Sequence, residues 1–178
     1  IGHRPGVSTY ACMNALLLPE RQLFLVDTHI NYDPTAEQLA EITIMAAEEM
    51  RRFGVEPKAA LLSHSNFGSS NQPTALKMRR TLALVQQRAP WLEIDGEMHG
   101  DVALDGAARH ALMPRSTLSG SANLLVLPNL DAANNAMEKV LEEVCAEKIG
   151  EQELTKVKNK IESFLTFGDT NILRSEER

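Results

Sequence analysis

The chain has 178 residues, 43% of them hydrophobic and 24% charged, with a formal net charge of -6 at pH 7. That is enough apolar chain to bury a core, as one domain or two small lobes, without metals or disulfides, and it is far from a disordered composition. The acidic balance excludes a nucleic-acid partner held by a broad basic face, so an anionic ligand has to be held by local donors. No apolar run approaches the roughly 18 residues of a membrane span, and no membrane partner is expected. Cys12 and Cys145 form neither a metal-ligand cluster nor a disulfide framework, which fits a reducing, cytoplasmic setting. The opening residue, Ile1 rather than Met, leads to the expectation of a piece of something longer.

Leu23-Phe24-Leu25-Val26 is a short apolar run ending at Asp27-Thr28-His29, the pattern of a buried strand that delivers polar groups at its carboxyl end. Asp33 is the expected N-cap of a helix with Pro34 at its first position; Leu39, Ile42, Ala46, Met50 and Phe53 recur at helical spacing until Gly54 stops the segment. Lys58 to Ser63 reads as a second buried strand. Its exit, His64-Ser65-Asn66-Phe67-Gly68-Ser69-Ser70, is small and polar, and a second helix begins near Pro73 with Ala75, Met78, Leu82, Val85 and Ala89 inward. Trp91 to Asp95 is the third expected strand, followed by a loop, Gly96 to Asp101, whose two glycines let the backbone turn sharply. Leu124 to Leu127 is the fourth, closed by Pro128 and Asn129.

This alternation predicts an α/β sheet with its ligand beyond the carboxyl ends of the strands, the exits at Asp27 and Ser63 sharing an edge. From Ala136 onward charged residues become much denser. Met137, Val140, Leu141, Val144 and Cys145 define one helical stripe, and Leu154, Val157, Ile161, Phe164 and Leu165 define another beyond Gly150. Residues 1–135 therefore read as an α/β segment, and 136–178 as a charged amphipathic helical tail folded as a hairpin.

The loop after the second strand offers Ser63, Ser65, Asn66, Gly68 and Ser69 just before a helix, where hydroxyls, backbone N–H groups and the helix dipole suit a phosphate; ordinary helix capping is the alternative. Asp95, Glu97, His99 and Asp101 alternate within seven residues and are candidates for lining a cleft. Solvated loop groups or cleft-shaping hydrogen bonds explain them better than a metal, and His29, His64 and His110 share that reading. Ser119 and Asn123 flank a turn, Ser119-Gly120-Ser121-Ala122-Asn123, that brings backbone toward the cleft or simply leads into a strand. No Gly-Lys-Ser/Thr occurs, so nucleotide hydrolysis is not expected. No catalytic residue is assigned.

Four segments together resemble the phosphate acetyl/butyryltransferase family: Asp27-Thr28-His29-Ile30-Asn31-Tyr32-Asp33-Pro34-Thr35; Leu62-Ser63-His64-Ser65-Asn66-Phe67-Gly68-Ser69; Ile94-Asp95-Gly96-Glu97-Met98-His99-Gly100-Asp101; and Ser116 to Asp131. Their order and spacing span residues 1 to 135, and the wording of the second and third is similar to the branch fused to the C-terminal side of bacterial NADP-dependent malic enzymes. The resemblance implies an incomplete, isocitrate dehydrogenase-like layered α/β fold with a cleft between lobes. It implies an acetyl-CoA-sensing regulatory and oligomerising domain that binds acetyl-CoA or an acyl phosphate, assembles as a homo-oligomer and holds no cofactor of its own. NADP and a divalent metal belong to a malic enzyme domain outside this chain. Stand-alone relatives exchange an acyl group between coenzyme A and phosphate, with a serine, arginine and aspartate cluster near their C-terminus. Arg174-Ser175-Glu176 matches that cluster only superficially, so this chain alone is expected not to catalyse the exchange. The alternatives are a phosphate acetyltransferase and an oligomerisation module. The stretch Glu151 to Ser163 is somewhat similar to a helical segment of pitrilysin-type zinc peptidases, without either form of their His/Glu metal motif.

Overall fold

The computed structural model describes residues 7–18 and 21–134, and the helical hairpin expected over 136–178 lies outside them. The described elements run β1 (Met13–Leu17), β2 (Gln22–Val26), α1 (Ala36–Arg52), β3 (Lys58–Leu62), α2 (Pro73–Arg88), β4 (Glu93–Met98), α3 (Gly100–Leu104), α4 (Gly106–Leu112) and β5 (Leu124–Val126). All five strands join one sheet in the order β1-β2-β5-β3-β4. β1 runs antiparallel to β2, and β2, β5, β3 and β4 are mutually parallel.

β2, β3 and β5 are apolar after their first residues, as strands covered on both faces are, whereas β4 carries Asp95 and Glu97 into the interior. Phe24, Val26, Ala59, Leu61, Ile94, Leu124 and Val126 pack in one cluster with Leu39, Ile42, Ala46 and Met50 of α1 and Met78 and Val85 of α2. The alternate residues Leu25, Ala60 and Leu125 are also buried. α1 and α2 pack against each other, so the crossovers that carry the chain from β2 to β3 and from β3 to β4 form one helical layer.

Three expectations are corrected. α1 is capped by Thr35, which forms a capping box with Gln38; Asp33 instead accepts a hydrogen bond from Lys77 Nζ at 2.5 Å. Phe53 ends the helix exposed rather than facing inward, beside Gly54 at φ +78°. The third strand runs from Glu93 to Met98 rather than from Trp91 to Asp95, so Gly96, Glu97 and Met98 lie within β4 and not in a loop. β1, α3 and α4 were not anticipated: Met13-Asn14-Ala15-Leu16-Leu17 has no β-branched residue to mark an edge strand, and the two helices are under two turns long.

Gly96 explains why β4 continues. At φ +143° its backbone lies so near β3 that an added Cβ would stand 2.8 Å from the Leu61 carbonyl oxygen and 2.9 Å from Leu61 Cβ. The register between the two strands shifts at Leu61/Leu62, just where this approach occurs. Glycine here permits a contact rather than a turn. Gly54 has the opposite setting, open space around a positive φ. Gly54→Ala should therefore cost only about 1 kcal/mol of backbone strain. Gly96→Ala should cost about 3 kcal/mol or more, as strain and overpacking combine. Urea unfolding of the two variants side by side checks this, and equal losses would refute the close-contact account.

Candidate functional site

Because β2, β5, β3 and β4 are parallel, their carboxyl ends open on one edge of the sheet. Asp27 leaves β2 there, Ser63 leaves β3, His99 leaves β4, and Pro128 and Asn129 follow β5. Lys77 on α2 links two of these exits, donating to Asp33 Oδ1 and to the Pro128 carbonyl at 2.8 Å. The Leu130 N–H donates to the Tyr32 carbonyl. Ile30, Tyr32 and Leu76 present exposed apolar side chains from the loop after β2 and the first turn of α2.

The exit of β2 is organised by one carboxylate. Asp27 Oδ1 accepts from the amides of Cys12 (3.0 Å), His29 (3.1 Å) and Ile30 (3.2 Å), and Oδ2 accepts from the amide and side chain of Asn31 at 2.8 and 2.5 Å. Burial opposes its ionisation, but the hydrogen bonds from Cys12, His29 and Asn31 outweigh that and hold the carboxyl below its ordinary value of 3.8.

The exit of β3 is organised by another. Glu97 is fully buried. Its Oε1 accepts from Ser65 Oγ (2.6 Å), the Gly68 N–H (2.9 Å) and Arg79 Nη1 (3.2 Å), while its Oε2 is buried without a hydrogen-bond partner. Two backbone features turn these donors inward: Phe67 at φ +46° and Gly68 at φ +91°, with the Phe67 N–H donating to the Glu97 carbonyl at 2.7 Å. The loop is also bonded to itself. Ser69 Oγ accepts from the Asn66 N–H and meets Ser65 Oγ at 3.2 Å, Ser63 Oγ accepts from the Ser65 N–H, and Arg79 reaches the Ser70 carbonyl and Asn71 Oδ1. The His99 N–H donates to Asn66 Oδ1, and His99 Nε2 lies 2.8 Å from the His64 carbonyl. Ser63, Ser65, Asn66, Gly68, Ser69, Glu97 and His99 are thus brought together.

The remaining candidates are not. Asp95 lies inside β4, where it accepts from the Gly96 and Thr117 amides at 2.8 Å each, and Asp101 sits exposed in the first turn of α3. Ser119 and Asn123 belong to the opposite, amino-terminal edge: Ser119 binds Glu93 and Lys58 Nζ, and Asn123 Oδ1 accepts from the Lys58 N–H. The five-residue β3 separates the two edges by about 13 Å at roughly 3.3 Å per residue. Among the described residues, no group of three or more His, Cys, Asp or Glu could hold a metal ion. No helix among them is long and apolar enough to cross a membrane.

A family profile described as phosphate acetyl/butaryl transferase matches residues 1–151. The chain belongs to the phosphate acetyl/butyryltransferase family. Over 132 residues it is 62% identical to the NADP-dependent malic enzyme of Escherichia coli K12, covering 74% of this chain and 17% of that protein. Against the phosphate acetyltransferase of the same organism it is 37% identical over 136 residues, 76% of this chain and 19% of that one. The EutD phosphotransacetylase from Staphylococcus aureus has a similar structure, with a TM-score of 0.74, 32% identity, and coverage of 80% of this chain and 44% of that one. The chain thus spans less than a fifth of the length of these curated relatives, and the α/β fold expected from the resemblance is the fold observed.

In this family member the sequence reading found the strand exits but missed Arg79 and Lys77, which look like the solvated face of a helix. The signal that points to Arg79 is Glu97 itself, since a carboxylate in a strand buried on both faces needs a donor beside it. Asp27 supplies a test of the edge's construction. Its folded pKa is depressed, so its stabilisation is present above the unfolded value and is lost as pH falls through the folded one. Asp27→Asn presents an amide to the two Asn31 donors and should cost about 2 kcal/mol at pH 7. It should also flatten the loss of stability as pH falls below the ordinary carboxyl value of 3.8. Unfolding curves at pH 7 and on the acid side of the ordinary carboxyl value check both statements, and an unchanged acid limb would contradict them.

Proposed function

We propose that this chain is part of an acyltransferase-like regulatory domain of the malic-enzyme kind, which receives acetyl-CoA or a related acyl or phosphate ligand at the carboxyl edge of its sheet without turning it over. The observation that carries the reading is the convergence on one edge of the β2, β3 and β5 exits, the first and last linked by Lys77 and the middle one continuing into the β3–α2 loop. Ligands of open α/β sheets gather at such edges. The loop's hydroxyls, its amides and Arg79 offer local donors to phosphate in a chain whose net charge is -6. Ile30, Tyr32 and Leu76 offer apolar contact to the rest of an acyl-CoA. The 62% identity to a malic enzyme, against 37% to a phosphate acetyltransferase, favours sensing over exchange. The whole protein, on this reading, is a homo-oligomer whose NADP and divalent metal are held in a separate malic enzyme domain.

Calorimetric titration should show weak binding of acetyl-CoA, and Gly68→Val should weaken it further, because a branched side chain is strained at φ +91° and would pull the Gly68 N–H out of the turn. Equal binding by both proteins would remove the loop from the site. A coupled assay should show no acetyl-CoA formed from acetyl phosphate and coenzyme A, and turnover above a heat-killed control would select the acyltransferase reading instead.

A further inference from the structure

We infer that the β3–α2 loop is an anion site held shut by the chain's own Glu97, so that a phosphate group enters it only by displacing that carboxylate. The inference rests on the reading that ligand reaches this loop, and it adds a built-in competitor. The set converging on Glu97 Oε1, one hydroxyl, one inward-turned backbone N–H and one guanidinium, is the set that cradles phosphates and carboxylates alike. An internal anion already holds these donors.

The comparison with Asp27 shows that Glu97 is not simply another structural carboxylate. Asp27 shares five donors between its two oxygens. Glu97, more deeply buried, has three donors on one oxygen and none on the other. A buried acceptor left unmatched is costly, so the cradle satisfies only one of the carboxylate's two oxygens. The cradle also has support of its own: the Ser65–Ser69 contact, the Asn66 N–H to Ser69 Oγ bond, and the Arg79 bonds to Ser70 and Asn71 do not involve Glu97. With Glu97 in place, an arriving phosphate meets a like charge and no free donor from this set; with it withdrawn, the same groups form a cationic pocket.

Inorganic phosphate titrated into the wild-type chain, Glu97→Ala and Glu97→Gln tests this, with calorimetry for affinity and the Gly68 amide resonance for location. Folded Glu97→Ala should bind phosphate at least about tenfold more tightly than wild type, and Glu97→Gln, which keeps the shape and loses the charge, should fall between. Equal affinity in wild type and variant, or binding that leaves the Gly68 amide unmoved, would overturn the inference. If Glu97→Ala does not fold, the same comparison on Glu97→Gln decides. Phosphate binding by the variant in a chain that takes up no acetyl-CoA would support the site and refute only the choice of ligand.

Discussion

The closeness of β4 to β3 at Gly96 is the constraint from which the carboxyl edge follows. With no Cβ between the strands, β4 passes Leu61 and continues in register-shifted pairing as far as Met98. Had the chain turned away at Gly96, the next residue would have been a loop glutamate in water. Instead Glu97 is carried into the interior beneath the β3–α2 loop, and that loop closes over it through Ser65, Gly68 and Arg79. A missing methyl group in one strand thus decides the electrostatic character of a loop that begins about thirty residues earlier in the chain.

Two carboxylates, built in different ways, give the edge its two halves. Asp27 binds amides of its own loop and of Cys12, which precedes β1, and so ties the strand exit to the antiparallel edge of the sheet. Glu97 binds one hydroxyl, one amide and one cation that stand 32, 29 and 18 residues before it in sequence. The opposite edge of the sheet has its own polar set, where Lys58, Glu93, Ser119 and Asn123 hold the starts of β3, β4 and β5 together. Arg109, buried in α4, donates to the carbonyls of Val102, Ala103, Leu118 and Gly120 and anchors the approach to β5. Lys58, Glu93, Ser119 and Asn123 thus lie at the strand starts, across the sheet from the exits.

The sequence showed most of what depends on continuous apolar runs and helical period. β2, β3, β5, α1 and α2 were legible because burial on both faces of a parallel sheet leaves an unmistakable pattern, and the shared edge follows from that alternation. Gly96 misled because glycine signals a turn and a close approach with the same letter, and only the neighbouring strand distinguishes them. Ser119 and Asn123 read equally as a turn toward the cleft or a plain entry to a strand, and their bonds to Lys58 and Glu93 fit the second. Ser65, Gly68 and Glu97 were all named as candidates from separate segments, but their convergence on one point was invisible, because it depends on the β3–β4 register.

The Asp27 knot also has a kinetic meaning. The segment from Asp27 to Asn31 has no regular secondary structure, yet three of its backbone amides, and that of Cys12, end on one carboxylate. Releasing one of these N–H groups leaves the carboxylate, and with it the rest of the segment, held by the others. Full opening of the segment therefore requires all four bonds to be lost together, and hydrogen exchange at these sites is expected to follow the β1–β2 ladder they tie together rather than a surface loop.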